Sequence, residues 1–180
     1  YGETILPLAR AKAHLRVVAS DEDALIAVLR DAAIELVERY TNLRLLFETD
    51  YPAMVATCEG FAARLPVGRG PIGTIVVTGI DYVDADGAAA SLLPGAWRVL
   101  PDGFVALQVG TSWPTSSGPV SISFQAGYAT AAEIPAGLIA AALLFLGHLY
   151  SNREAVVETG MTGELPLGFG ALTDAHRVYF

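Results

Sequence analysis

What a chain of this kind can fold into is most constrained by the segment from Ile134 to Glu154, IPAGLIAAALLFLGHLYSNRE, its most continuously apolar stretch. Pro135 falls where a helix tolerates it, in a first turn whose N–H groups have no intrahelical acceptor. The run then continues for about four helical turns. Leu138, Ala142, Phe145 and Leu149 form one stripe and Ile139, Leu143, Leu146 and Tyr150 the next, so apolar side chains cover most of the circumference. Such a helix has to be buried, in protein or in lipid. A membrane span needs about 20 apolar residues, and the roughly 17 from Ile134 to Tyr150 include Pro135, Gly137, Gly147 and His148. The flanks, Glu133 on one side and Arg153 with Glu154 on the other, hold no cluster of Lys or Arg to anchor an end. Burial against protein is predicted, in the subunit core or against a neighbouring subunit. The candidate contact residues are Leu138, Ala142, Phe145, Leu146, Leu149, Tyr150 and Arg153.

A chain of 180 residues with 53% hydrophobic content can bury one sizeable core, or one core carrying an inserted lobe, which excludes disorder as the main state. A formal net charge of -8 argues against nucleic-acid binding through a basic patch, because neutralising phosphates dominates that affinity. The lone cysteine, Cys58, cannot form an intrachain disulfide; it reads as a small buried thiol in a reducing compartment. The opening YGETILPLARAKAHLRV alternates charge with apolar residues and has no continuous apolar core, so no signal peptide is expected.

Taken in order, Ala9 to Val17 have the spacing of a short helix with Ala13 and Leu15 to Val18 facing inward. Ser20 then has the place of an N-cap, with Asp23 completing a capping box and Asp21 and Glu22 near the positive helix end. Leu25, Ile26, Leu29, Ala33, Leu36, Val37 and Tyr40 repeat at helical spacing, opposite a polar face of Glu22, Arg30, Asp31, Glu35, Glu38 and Arg39. Asn42 is placed to end this helix in the left-handed conformation.

Beyond Asn42 the period changes to two. Residues 45–51, 61–65, 73–83, 88–92, 96–100, 105–109 and 120–125 read as strands. Hairpin turns are expected at Asp84-Ala85-Asp86-Gly87 and at Pro101-Asp102-Gly103, and a loop at Trp113 to Gly118. The fold class is therefore α+β: a helical core, made of 8–42 and 133–155, carrying an inserted antiparallel β-rich lobe at 45–127. That lobe is expected to be a small sandwich or barrel. The tail, 156–180, is polar at first and then carries Leu165-Pro166-Leu167-Gly168 before a short helix at 169–177. Its last residues, Val178, Tyr179 and Phe180, are apolar enough to dock on something.

Motifs for chemistry are sparse. Gly68-Arg69-Gly70-Pro71-Ile72-Gly73 spells the dinucleotide fingerprint, but a strand rather than a helix follows, so no helix N-terminus would meet a pyrophosphate. Asp81, Asp84 and Asp86 lack the spacing and the closing glutamate of a calcium loop. His14, His148 and His176 sit on separate predicted helices without the i, i+4 spacing of a metal site. The serines lack a nucleophile elbow. No cofactor or metal is expected, and nothing in the pattern argues for catalysis.

The order of segments is more informative. A capped helix SDEDALIAVLRDAAIELVERYTN precedes a β-rich middle and a strand ending PVSISFQAGY; then follow IPAGLIAAALLFLGHLYSNREAV and LPLGFGALTDAHRVY. The arrangement resembles the head-to-tail connector proteins of long-tailed bacteriophages, over roughly Leu8 to Tyr40 and Val120 to Tyr179. The pieces that carry the resemblance are E-x-x-L-x-x-x-L-x-x-A from Glu22 to Ala32, A-G-Y before P-x-x-L, H-x-Y-x-N-R-E and L-P-x-G-x-x-x-L. The last motif often closes with Pro-Tyr-Arg and here reads Ala175-His176-Arg177-Val178-Tyr179.

The resemblance implies a structural adaptor with no catalytic activity, assembled in the bacterial cytoplasm and placed in the neck of a virion, prophage-like particle or gene transfer agent. It implies a ring of about twelve copies, seated on a portal protein and receiving a stopper or tail-completion protein, with DNA passing through the channel and no membrane involved. The portal-docking tail would comprise Leu165, Pro166, Leu167, Phe169, Leu172, Val178, Tyr179 and Phe180. The residues leave open a small ligand- or carbohydrate-binding β domain with helical flanks, lined by Trp97, Trp113, Tyr82 and Tyr128, and an enzyme using Cys58 or the histidines.

Overall fold

The computed structural model describes residues 1–47, 54–62, 65–66, 75–100, 104–152 and 168–178. The chain is α+β and divides into two compact units: Tyr1–Leu45 with Thr130–Tyr179, and Leu46–Ala129.

The first unit is helical. Its main elements are α1 (Gly2–Ile5), α2 (Leu8–Leu15), α3 (Asp23–Thr41), α4 (Ala136–Ser151) and α5 (Phe169–Thr173). The longest, α3, buries Ile26, Ala33, Ile34 and Val37 at helical spacing and ends at Asn42 with φ 56, the left-handed cap that the sequence predicts. Its start differs from the predicted capping box. Asp23 N–H bonds only the Ser20 carbonyl, at 3.1 Å, and no side chain caps the helix. The acids are drawn elsewhere: Asp23 pairs with Lys12 of α2, and Glu22 accepts the Tyr150 hydroxyl of α4. Contacts between helices have displaced the local cap.

Arg30, expected on the solvent face, is only 5% exposed. The cause is α1, which the sequence pattern does not announce. Arg30 Nη1 donates to Glu3 of α1 while its Nε donates to Asp31 Oδ1 at 2.9 Å, so the buried guanidinium keeps two carboxylates. Ile5 and Leu6 are buried behind it. In α2 the predicted phase is also off: Ala11 is the buried residue, Ala13 is exposed and Val18 is 95% exposed, because the helix ends at Arg16 (φ 58) and Val18 lies beyond it.

The apolar segment gives a shorter and less covered helix than its run suggested. Pro135 is the N-cap and α4 has 16 residues. It buries one face, Leu138, Ile139, Ala141, Ala142 and Leu146, while Ala136, Ala140, His148 and Ser151 are exposed. Among the described residues no helix is long and apolar enough to cross a membrane.

The second unit holds two antiparallel sheets. Strands β1 (Met54–Cys58), β3 (Val76–Asp84), β4 (Ala89–Ser91) and β7 (Ser116–Gln125) form one, in the order β1-β7-β3-β4; β2 (Leu65–Pro66), β5 (Trp97–Val99) and β6 (Phe104–Leu107) form the other, in the order β2-β6-β5. Alternation sets the faces. Val120, Ile122 and Phe124 of β7 point inward and meet Ile80, Leu65 and Val105 in one core fed by both sheets, while Ser121, Ser123 and Gln125 alternate with them. Each fully buried side chain of this size stabilises the unit by about 1.5–3 kcal/mol.

Several strand expectations change: of 45–51 the described part, 45–47, holds only the Leu46–Tyr128 bridge, and of 61–65 Phe61 and Ala62 are not strand, β2 beginning at Leu65. The segment Trp113 to Gly118 is not wholly loop, since β7 begins at Ser116 and Asp84 pairs with it. Strand β1 falls where none was predicted; its inward residues Ala56 and Cys58 are small and its strongest apolar residue, Val55, is 62% exposed, so the usual alternation of hydrophobicity is muted. The Asp84–Gly87 turn forms as expected: Asp84 Oδ1 accepts N–H bonds from Asp86 at 2.9 Å and Ala88 at 2.8 Å, and Gly87 takes φ 82. The 101–103 turn and the 68–73 glycine-rich loop lie outside the described residues, although β5 and β6 do pair.

The A-G-Y sequence has a physical cause. Phe47 N–H donates to the Tyr128 carbonyl at 2.9 Å, and Leu46 bridges Tyr128, so residues 46–47 run against the end of the sheet. A Cβ on Gly127, whose φ is 138, would stand 2.3 Å from the Leu46 carbonyl carbon. Gly127→Ala is therefore expected to cost at least about 2 kcal/mol and to lower the unfolding midpoint measured by calorimetry, whereas Gly60→Ala, with open space around it, should cost only the price of its φ.

Candidate functional site

With no catalytic pattern to follow, the candidate site is a surface, and two segments of the helical unit compose it. The first is α4. Leu138, Ala142 and Leu146 are fully buried within the unit, whereas Phe145, Leu149 and Tyr150 remain half-exposed. Leu143, Phe145 and Tyr150 pack against the Ala11, Ile26, Ala33 and Leu146 cluster, joining α2, α3 and α4. Arg153 lies outside the described residues.

The second segment is the C-terminal one, and Tyr40 of α3 is its hub. Phe169 is 0% exposed, edge-on to Tyr40 with centroids 5.3 Å apart and 6.1 Å from Phe145. The Tyr40 hydroxyl donates to Asp174 Oδ1 at 2.8 Å, and the Arg177 guanidinium lies 4.9 Å from the Tyr40 ring centroid. Val178 closes the attachment: its N–H donates to the Thr41 carbonyl and its own carbonyl accepts Asn42 Nδ2, both at 2.9 Å. The left-handed turn at Asn42 thus caps α3 and also holds the tail. Leu172 is half-buried, and its carbonyl would stand 3.1 Å from a Cβ on Gly137 of α4. Of the tail residues named from the sequence, Leu165, Pro166, Leu167, Tyr179 and Phe180 lie outside the described residues. Sequence reasoning missed Tyr40 and Thr41 as tail partners, for which only the predicted cap at Asn42 gave a signal.

The remaining chemistry is dispersed. No group of three or more His, Cys, Asp or Glu that could hold a metal occurs among the described residues. The His148 ring stacks on Phe145 at 5.9 Å, and His14 lies beside Gly147. Cys58 is half-buried; burial pushes its thiol pKa up, which disfavours the thiolate, and Sγ contacts the Gly60 carbonyl at 3.5 Å. The aromatic residues of the β unit pack as core: Phe61 stacks on Trp113 at 4.7 Å and meets Tyr82 at 5.2 Å, and Trp97 packs on the same cluster. Burial raises the Tyr128 pKa. An open cleft of about 490 Å³ is lined by Glu59, Gly60, Ser116, Ser117, Gly118 and Pro119. Ser116 Oγ is already bonded, to the carbonyls of Val83 at 3.0 Å and Gly118 at 2.8 Å.

Residues 6–60 match the model of a family described as phage gp6-like head-tail connector protein. No curated protein matches the chain. Among solved structures, a chain in the virion of a native gene transfer agent particle is 26% identical, covering 98% of this chain and 91% of its own length with a TM-score of 0.69. A chain in the neck of an empty particle of that kind, computed with C6 symmetry, is 25% identical over 98% and 91% with a TM-score of 0.67. One in the neck of a native particle, computed with C12 symmetry, is 23% identical over 99% and 91%, also with a TM-score of 0.67, and shows a shared fold. The likeness to head-tail connector proteins read from the sequence is thus found again by a family model over the N-terminal part and by structures over nearly the whole chain.

Two outcomes follow from this geometry. Phe169→Ala should destabilise the helical unit by about 3–5 kcal/mol and speed amide hydrogen exchange through 168–178 in particular. Cys58 should react with a thiol reagent more slowly than free cysteine near neutral pH, the rate still climbing above the pH at which a free thiol has levelled off, because its folded pKa is raised.

Proposed function

We propose that this chain is a structural, non-catalytic adaptor in the neck of a phage-like particle, of the virion or gene transfer agent type. The observation that carries the reading is its likeness, over 98% of its length, to a chain of a gene transfer agent virion at 26% identity and to one of a particle neck at 25%. Copies form a closed ring of about twelve, a reading compatible with the sixfold and twelvefold symmetry of the necks that hold chains of this fold. One side of the ring seats on a portal protein and the other receives a stopper or tail-completion protein. DNA passes through the channel without sequence-specific binding, and a formal charge of -8 keeps phosphates from sticking to the wall. The chain works as a single connector domain assembled in the bacterial cytoplasm, its α4 face contributing to subunit contact and its tail to portal docking.

The ligand-binding β domain has less support. Trp97, Trp113 and Tyr82 are spent on the core.

The purified chain should give closed rings of about twelve copies by native mass spectrometry and negative-stain electron microscopy; protein that stays monomeric at every concentration tested would overturn the reading. Because Phe169 belongs to the helical core, the docking role is tested at the end of the tail. Tyr179→Ser with Phe180→Ser, compared with the unaltered chain at a temperature where circular dichroism shows both folded, should abolish attachment to emptied particles lacking their own adaptor. Full attachment by this variant would remove the tail from the docking role.

A further inference from the structure

A ring closed by rotation joins two unlike patches of the same subunit, so one face of each copy has to complement a different face of the next. Two helical faces of the first unit have that character.

On α2, Arg10, Ala13 and Arg16 succeed each other three residues apart and are all exposed, followed by Val18 at 95% exposure. The helix, LARAKAHL, contains no acid. Lys12 is committed to Asp23 within the subunit, but Arg10 and Arg16 enter no ion pair among the described residues.

On α3 the side turned away from the core carries Leu25 at 36% exposure, Val28 at 66% and exposed Ala32, at i, i+3 and i+7, so they form one apolar stripe. Acids rim it: Asp21 just before the helix, Asp31, and Glu35 one turn beyond Ala32, all exposed. Asp31 is shared with Arg30, whereas Asp21 and Glu35 have no cation partner among the described residues. Arg39 stands at the far end of the same side, beyond Glu35 and away from the apolar stripe.

We infer that the outer face of α3 in one copy receives α2 of the next copy, with Val28 and Leu25 covered by the Ala13 side and Arg10 and Arg16 facing the acidic rim to which Asp21 and Glu35 belong. The inference rests on the ring reading and deepens it by naming the two faces. A second copy fits better than an unrelated partner because both halves of the match are present on one chain: an exposed apolar stripe rimmed by unpaired acids, and an exposed small-residue face with unpaired arginines. Complementary rims of this kind fix register and orientation, and reversing one sign sets like charges against each other.

The test uses the full chain in two charge-reversed forms, Arg10→Glu with Arg16→Glu, and Asp21→Arg with Glu35→Arg. All four positions are exposed, so circular dichroism and the unfolding midpoint should stay as in the unaltered chain. Arg16 sits at φ 58, and Arg10→Glu alone replaces the first form if the double change does not fold. Sedimentation velocity should show each form associating at least roughly tenfold more weakly than the unaltered chain, while an equimolar mixture recovers rings, because alternating the two forms restores an opposite-charge rim at every junction. Val28→Asp should weaken association in the same way and should not be rescued by either form. Variants that associate as well as the unaltered chain, or a mixture that fails to recover rings, would overturn the assigned faces and leave the ring standing. An unaltered chain that does not associate at all would overturn the ring reading as well.

Discussion

An apolar helix of 16 residues cannot be covered by the residues that adjoin it in the chain, and the helical unit is arranged around that constraint. Its cover comes from far away in sequence. The N-terminal helices α2 and α3 supply one side, through Ala11, Ile26 and Ala33, and the C-terminal turn supplies another, with Phe169 lodged against Phe145 and the Leu172 carbonyl lying over Gly137. The polar contacts follow the same lines. Tyr150 reaches Glu22, Tyr40 reaches Asp174 and Val178 closes on Thr41 and Asn42. Each of these fixes an end of α4 or of its cover, so the burial of one stripe is what positions both the N-terminal helices and residues 168–178.

The balance of local and distant forces also explains what could be read in the sequence. Period and turn chemistry are local, and the features resting on them were legible: α3, the left-handed cap at Asn42, the Asp84–Gly87 hairpin and a strand through 120–125. Features decided by a distant partner were not. Asp23 reads as a capping residue until Lys12 is placed beside it, and Arg30 reads as a surface residue until Glu3 arrives from a one-turn helix with no periodicity of its own. Strand β1 was hidden for another reason, since the side it turns to the core is small and the side it turns outward holds Val55. For the candidate surfaces, the order of segments pointed to a connector, but that Phe169 belongs to the core depends on its aromatic packing against Tyr40, for which sequence spacing has no counterpart.

Two groups stand apart among the cations of the helical unit. Arg30, Arg44 and Lys12 are drawn in and paired with Glu3 and Asp31, Glu38, and Asp23, where each satisfies carboxylates within its own subunit. Arg10 and Arg16 remain on the surface of a helix without acids, in a chain whose overall charge is strongly negative. Positive charge on an acidic protein is electrostatically attractive to other copies of that protein, and setting two arginines on one helix without acids gives the attraction a direction.

The bond between Phe47 and Tyr128 has a further implication. Because residues 46–47 and 127–128 lie against each other, the β unit enters and leaves through a single gate, and the stretch between them is a closed cassette. A segment whose two ends are already joined can gain or lose strands, or change every residue on its surface, without parting those ends. The glycine that permits this crossing keeps the two ends of the cassette together, so the sequence between them is free to diverge.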